Sequence, residues 1–415
     1  MNSRNSEFQN TGATDPAAAQ VFLDRAIQHH KAGRLQAAET AYREILQSLP
    51  EHGVALHMLG LIEYQAGRYE QAIDLMSRAE ARIPGDAGLH TNLGTVLQAS
   101  GRLDEAVGRY MNAIAINPGF ALAYNNLGNA LRLQGKHEQA VSAFRQALDI
   151  DPNYVDACVN LAIVYQSMNE TEKAIQCYEK AIALDPRHGP ATHMLAALRG
   201  EHTKAAPPEH VAHLFDEYAA RFDHHLVDTL GYSMPGLLRS EIDRLGGKDA
   251  HFRNVIDLGC GTGLAGIAFR PLATRLTGVD LSPGMIVKSR ERNVYDALFT
   301  GDIVTTLLER QEHYDLFICA DVFPYIGDVG PLFSALHSRA NEDALFAFST
   351  ESHTGSDYIL RPTGRYAHSG DYLCSAAADH GFSVMTMRTE NLRKQKDQWI
   401  PGDLVILRKT PGDTV

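Results

Sequence analysis

The sequence predicts an all-helical solenoid followed by an α/β domain. Three observations carry this reading. Small residues and prolines recur every 34 residues through the first half of the chain. Pro207-Pro208 ends that period. Beyond it, short apolar runs alternate with helical segments, and "NVIDL" at 254–258 enters a turn with Gly259, Gly261 and Gly263 at alternate positions. At 415 residues the chain exceeds what one ordinary core holds, so more than one domain is expected.

The repeat is read from four columns in one register. Pro50, Pro84, Pro118, Pro152 and Pro186 form the first, and Ala38, Ala72, Ala106, Ala140 and Ala174 the second. Gly33, Gly67, Gly101 and Gly135 continue as Asn169; Gly60, Gly94 and Gly128 continue as Ala162. Each unit reads as a helix pair. Gly or Asn in the turn tolerates positive φ. Small residues let the helices approach, and Tyr42, Met76, Tyr110, Phe144 or Tyr178 fills the gap one turn on. Proline then ends the second helix. A 34-residue period of this pattern resembles the tetratricopeptide repeat.

The expected organisation is a disordered tail over 1–18, then five repeats plus a capping helix ("GPATHMLAALRG", 189–200) over 19–200. A linker over 201–210, an α/β domain over 211–410 and a short tail over 411–415 follow. The polar N-terminus lacks the basic-then-apolar order of a secretion signal. No run is apolar over the roughly 20 residues that span a bilayer, so no membrane role is expected. The net charge of −12 disfavours nucleic acid as a partner. The five scattered cysteines show no CxxC spacing, which fits free thiols in a cytoplasmic setting and no metal site. The histidines near 210–225 complete no ligand set.

The glycine turn by itself is ambiguous, since Gly261, Gly263 and Gly266 also satisfy the nicotinamide-cofactor spacing G-x-G-x-x-G. Asp257, two residues before the turn, decides between readings. It would repel a pyrophosphate and attract the ammonium and sulfonium of S-adenosylmethionine. A second strand, "LTGVD", ends in Asp280, placed to accept ribose hydroxyls. Ser282 and Pro283 then open a helix as N-cap and first-turn residue.

The series strand-DxGxGxG, strand-Asp280, Gly301-Asp302 and further strands resembles class I S-adenosylmethionine-dependent methyltransferases over about 211–410. That resemblance implies a Rossmann-like, mostly parallel seven-stranded sheet of order 3-2-1-4-5-7-6. It implies cofactor contacts at Gly259, Gly261, Gly263, at Asp280 with Leu281, and at Asp302 with Ile303, where the acid takes the adenine amino group. "FDEYAARFD" in an amphipathic helix over 211–232 resembles the lead-in helix that closes over the cofactor, which places Tyr218 near it. After the fourth strand, Val322-Phe323-Pro324-Tyr325 lacks the polar residue and first proline of enzymes that methylate planar amine nitrogens. Asp321 and Tyr325 are candidate catalytic or wall residues there, with a buried turn as the alternative. "RPTGRYAHSGDYL", 361–373, reads as a rim loop with Tyr366 and His368 as base or substrate contact, or as plain surface. The basic run "RTENLRKQK" reads as a solvated hairpin edge.

As a whole the chain resembles bacterial methyltransferases with tetratricopeptide repeats, in which "GRYAHS" also occurs. In the repeats, Asn92, Asn126 and Asn160 form a column 34 residues apart. By the resemblance they line an inner groove that clamps an extended protein or peptide; alternatively they bond only within the solenoid. The expected function is an S-adenosylmethionine-dependent methyltransferase whose repeats recruit a protein. A non-catalytic cofactor-binding scaffold, and a small-molecule methyltransferase whose repeats serve an unrelated partner, are the alternatives.

Overall fold

The computed structural model describes residues 16–411 except 220–221, 247–249 and 396–397; of the expected tails at 1–18 and 411–415, residues 1–15 and 412–415 lie outside the described residues, while 16–18 belong to the first helix rather than to a tail. The chain forms two compact units that divide between Pro186 and Arg187.

The first unit is five helix pairs: α1 (Pro16–Lys31) with α2 (Leu35–Ser48), α3 (Gly53–Gln65) with α4 (Tyr69–Glu80), α5 (Ala87–Ala99) with α6 (Leu103–Ile116), α7 (Ala121–Leu133) with α8 (His137–Ile150), and α9 (Val155–Ser167) with α10 (Thr171–Leu184). The turn column is left-handed throughout, with φ of 69°, 75°, 83° and 74° at Gly33, Gly67, Gly101 and Gly135 and 60° at Asn169. Asn is among the few non-glycine residues that accept this conformation at low cost. The alanine column is fully buried, as are the large residues four positions on. Those large side chains lie on the second glycine column. A Cβ at Gly94 would stand 2.6 Å from the Tyr110 ring, and one at Gly128 2.7 Å from the Phe144 ring. The sequence period is therefore a packing period.

The second unit opens with α11 (Gly189–Arg199), α12 (Pro208–Tyr218), a π-helical turn at His224–Thr229 and α13 (Met234–Gly246). The strands are β1 (Phe252–Leu258), β2 (Ala273–Asp280), β3 (Ala297–Thr300), β4 (Tyr314–Cys319), β5 (Ala340–Glu351), β6 (Tyr358–Leu360), β7 (Tyr366–His368), β8 (Phe382–Gln395) and β9 (Gln398–Lys409). Helices α14 (Leu264–Phe269), α15 (Pro283–Glu291), α16 (Ile303–Glu309) and α17 (Gly330–Arg339) connect them up to β5, and α18 (Gly370–Asp379) precedes β8. The main sheet runs β3-β2-β1-β4-β5-β9-β8, which is the expected order 3-2-1-4-5-7-6 when the separate β6–β7 hairpin is left out. Strands β1 to β5 pair in parallel, and β9 is antiparallel to both its neighbours. Phe323, Phe333, Phe346 and Phe348 fill one core cluster. Leu238, Ile242, Phe269, Leu316 and Ile406 fill another.

Four expectations change here. Helix α11, read as the cap of the solenoid, packs into the second unit: its Ala196 and Ala197 share a core with Ala206, Val211, Leu360 and Tyr366. Its His193 Nε2 lies 2.8 Å from the Gly364 carbonyl. The expected linker 201–210 is fastened to the same unit, with Ala205 bridging Ile326 and the Ala206 N–H donating to the Tyr325 carbonyl at 2.9 Å. The rim loop 361–373 is the β6–β7 hairpin, turned at Gly364 (φ 76°), and the start of α18. The amphipathic stretch 211–232 is not one helix: α12 ends at Tyr218 and the π-helical turn follows.

Two outcomes test this packing. Gly128→Val should destabilise the first unit by about 1–3 kcal/mol through overpacking against Phe144. Gly108→Ala, at a helix position with open space around it, should stabilise by about 0.5–1 kcal/mol; far-UV circular dichroism in urea reads both. A fragment of 187–415 should also melt well above one of 211–415, because the shorter piece exposes the shared core of Val211, Leu360 and Tyr366.

Candidate active site

A cavity of about 220 Å³ opens among Gly259, Gly261, Asp280, Asp302 and Asp321. It lies where β1, β2 and β4 end, and strand order reverses between β1 and β4. Crevices of open α/β sheets form at such switch points.

The glycine turn follows β1 because its backbone leaves the β region at once: φ is 74° at Gly259, 52° at Gly261 and 94° at Gly263. Glycine at 259 is also required by contact, since a Cβ there would stand 2.2 Å from Val322 Cγ2. At Gly261 a Cβ would meet only the Phe222 ring, at 4.0 Å, so the backbone is open to a ligand. Gly263 shapes the turn without lining the cavity; Arg292, Ser289 and Tyr295 crowd it.

Asp280 ends β2 and is 8% exposed. Its Oδ2 accepts the Gly261 N–H at 2.8 Å and its Oδ1 the Ser282 N–H at 2.9 Å. Burial pushes its carboxyl up to about 6, against the pull of these two bonds. Leu281 and Ile303 line the cavity beside it. Asp302 caps α16, its Oδ1 accepting the Thr305 N–H at 2.8 Å.

Asp257 departs from expectation. It is fully buried and outside the cavity wall. Tyr295 donates its hydroxyl to Oδ2 at 2.6 Å, while Oδ1 is buried without a partner among the described residues. Burial raises its carboxyl to about 7. Tyr218 closes α12, and its side chain lies outside the described residues.

Two acids of the lead-in segment were not singled out from sequence. Asp216 accepts the Gly284 N–H at 2.9 Å and the Ser282 hydroxyl, which joins α12 to the loop after β2. Asp223 accepts the Thr262 hydroxyl and pairs with Arg292, which joins the π-helical segment to the glycine turn. They are the first and last acids of "FDEYAARFD", so the stretch that drew attention to Tyr218 carries its legible function in its aspartates.

The four candidate catalytic residues separate into two pairs. Asp321 and Tyr325 line the cavity. Asp321 holds a left-handed backbone, φ 59°, a conformation that Asp accepts more readily than most side chains. Its Oδ1 accepts Arg365 and Arg393 at 3.1 Å each. The Tyr325 hydroxyl accepts Arg365 at 3.0 Å. Both arginines also donate to Glu351 Oε1 at 2.7 Å. Phe323 and Pro324 between them are core, Phe323 stacking on Phe348 at 4.2 Å.

Tyr366 and His368, by contrast, are fully buried outside the cavity wall. The Tyr366 hydroxyl pairs with that of Thr203. His368 Nε2–H donates to the Gly327 carbonyl at 3.1 Å and Nδ1 accepts the Thr350 hydroxyl at 2.7 Å. Burial drives the ring down to about 4. With both nitrogens occupied inside the protein, His368 has no lone pair for a substrate proton. The basic run is likewise not all solvated: Leu392 and Arg393 are 1% and 7% exposed, beside a register shift between Asn391 and Arg393.

In the first unit the asparagine column is partly occupied. Asn92 Nδ2 lies 2.9 Å from His57 Nε2, and Asn160 Nδ2 donates to Asn125 Oδ1 at 3.0 Å. Asn126 Oδ1 receives only a long bond of 3.4 Å from Asn125. Asn92 and Asn160 thus tie successive repeats together, while the Asn126 bond stays within its own helix.

Comparison with known proteins assigns a family model to each of the two units. A methyltransferase domain model matches residues 230–389, and tetratricopeptide repeat models match 16–87, 86–153 and 119–187. A malonyl-[acyl-carrier protein] O-methyltransferase of Acetivibrio thermocellus is 30% identical over 102 residues, 24% of this chain and 36% of that enzyme. A ubiquinone biosynthesis O-methyltransferase of Azorhizobium caulinodans is 24% identical over 135 residues, 30% of this chain and 53% of that enzyme. The chain thus spans about a third to a half of these curated relatives. Among solved structures, a thermophilic tetratricopeptide protein of Thermus thermophilus is 23% identical, covering 44% of this chain and 98% of that one at a TM-score of 0.37.

Protonation of Asp257 should be visible in stability. A carboxyl raised from 3.8 to about 7 by burial favours the fold below pH 4, and that contribution is lost as pH climbs toward 7. Each tenfold change in proton affinity is worth roughly 1.4 kcal/mol. Urea unfolding followed by Trp399, the sole tryptophan, should show stability falling over this range in wild type and falling less in Asp257→Asn. Equal slopes in the two proteins would exclude a buried Asp257 carboxyl as the source.

Proposed function

This chain joins tetratricopeptide repeats to a methyltransferase domain, and we propose that its cavity binds S-adenosylmethionine as methyl donor for an acceptor oxygen. One observation carries the proposal: the cavity wall holds the carboxylates of Asp280, Asp302 and Asp321 and, among the described residues, no lysine, arginine or histidine. Such a wall favours a ligand with positive charge and hydroxyl or amino donors over a nucleotide diphosphate. The open backbone at Gly261 fits the same ligand.

When bound, the sulfonium supplies an electrophilic methyl group. The chain's residues then divide the work. Asp280 accepts ribose hydroxyls on the lone pairs that Gly261 and Ser282 leave free. Asp302 keeps Oδ2 for the adenine amino group while Oδ1 caps α16. Ile303 and Leu281 pack the base. Asp321 and Tyr325 face the acceptor, held in place by Arg365 and Arg393. Oxygen as the acceptor atom is favoured by the activity in the relatives' names and by the absence of the amine-nitrogen motif after β4.

The repeats serve protein recruitment in this reading, the role that their resemblance to tetratricopeptide repeats implies. Because Asn92 and Asn160 already bond within the solenoid, Asn126 is the amide of the column with most capacity left for a peptide.

Calorimetry with S-adenosylhomocysteine tests the donor site. Asp280→Asn should weaken binding about tenfold or more, since charge-assisted hydrogen bonds contribute roughly 1.5–3 kcal/mol each. An unchanged affinity would remove the ribose from Asp280.

A further inference from the structure

The cavity has two unlike halves. One is the carboxylate rim of Asp280 and Asp302 with the glycine turn. The other comes from chain that precedes β1: Ala205, Ala206, Pro208, Val211 and Phe215, met by Tyr325 and Ile326. This second wall is fixed by backbone bonds. The Ala206 N–H donates to the Tyr325 carbonyl at 2.9 Å, and the Gly327 and Asp328 N–H groups both donate to the Lys204 carbonyl at 2.8 Å. Ala205 and Ile326 form an antiparallel bridge. The residues that lead from α11 to α12 are therefore pocket structure rather than spacer.

This half is apolar and aromatic. Phe215 and Tyr325 meet edge to face, with ring centroids 5.4 Å apart and planes at 77°. That arrangement offers a ring face and a ring edge to a third aromatic group. No described cation lines the cavity. Arg365 and Arg393, which grip Asp321, are themselves paired with Glu351 and stay out of the wall. An anion placed here would lose its hydration, meet three carboxylates and gain no partner.

We propose that this half is the acceptor subsite, that the 205–215 segment sets its specificity, and that it admits a neutral aromatic hydroxyl and rejects carboxylate or phosphate acceptors. The inference rests on the other half being the donor site. In the transfer, the hydroxyl oxygen bonds the methyl carbon and the carbon–sulfur bond breaks with its electron pair on sulfur. The hydroxyl proton passes to the Asp321 carboxylate at the wall.

The test uses the full chain saturated with S-adenosylhomocysteine and two probes of one shape, 2-naphthol and 2-naphthoate. Naphthol should bind this complex about tenfold or more tighter than naphthoate, because the unpaired charge is costly to bury. Ala205→Phe, at an exposed wall position, and Ala206→Leu, at a buried one, should each weaken naphthol about tenfold while S-adenosylhomocysteine affinity stays within about twofold, since overpacking is local. Two variants guard against one failing to fold. Naphthoate binding as well as naphthol would overturn the proposal. So would naphthol binding that survives both variants, or no naphthol binding to the saturated wild type. Failure of S-adenosylhomocysteine itself to bind would overturn the donor site first, and this inference with it.

Discussion

The carboxylate of Asp280 ties together the two loops on which the cavity depends. One oxygen accepts from Gly261 in the turn after β1 and the other from Ser282 in the turn after β2. Adjacent parallel strands hold these loops at a fixed separation, and one side chain satisfies both backbones. Everything else at the rim is built on this tie. Ser282 caps α15, Ser289 of that helix donates to the Gly261 carbonyl at 2.9 Å, and Asp216 brings α12 onto Ser282 and Gly284. A carboxylate that is buried and ready for hydroxyls thus organises the fold around it as well.

At the other end of the cavity a costlier arrangement appears. Glu351, Arg365, Arg393 and Asp321 form a buried ionic cluster with Tyr325. Burial alone would raise the Glu351 carboxyl, yet Arg365 and Arg393 bring it below its usual value. Buried ion pairs rarely add stability over apolar residues of similar volume, but removing one partner is strongly destabilising. The cluster draws its members from the ends of β4 and β5, from the β6–β7 hairpin and from the bulged end of β8. It fixes one carboxylate and one phenol at the cavity wall.

How much of this was legible in the sequence follows from the kind of constraint each residue obeys. Local backbone demands were plain. The left-handed turns at Gly33 through Asn169, the cap at Ser282 and the strand-turn-helix at 254–264 are read from neighbouring residues alone, whereas the sheet order came only from the resemblance to class I methyltransferases. Long-range partners were not. Nothing near Arg393 in a basic run marks it as the partner of Asp321, because a bulge in β8 changes its register. His368 and Tyr366 looked like rim chemistry because polar and aromatic residues cluster there. Their partners Thr350, Gly327 and Thr203 lie far off in sequence, and burial inverted the reading. The 34-residue period also concealed the end of the solenoid: α11 continues the helical pattern while its alanines face a different core.

The ionic cluster bears on the choice between an enzyme and a cofactor-binding scaffold. A protein that only senses the donor needs the half with Asp280, Asp302 and the glycine turn. It has no use for an Asp321 carboxylate gripped by two arginines, nor for an aromatic wall fastened by the Lys204 and Ala206 backbone. Mutation removes costly features that nothing maintains, since replacing a buried ion pair by apolar residues is commonly neutral or stabilising. The second half of the cavity is apolar, fastened by backbone bonds and backed by a buried ionic cluster. A wall built at that cost beside Asp280 and Asp302 is the physical argument in favour of a second substrate.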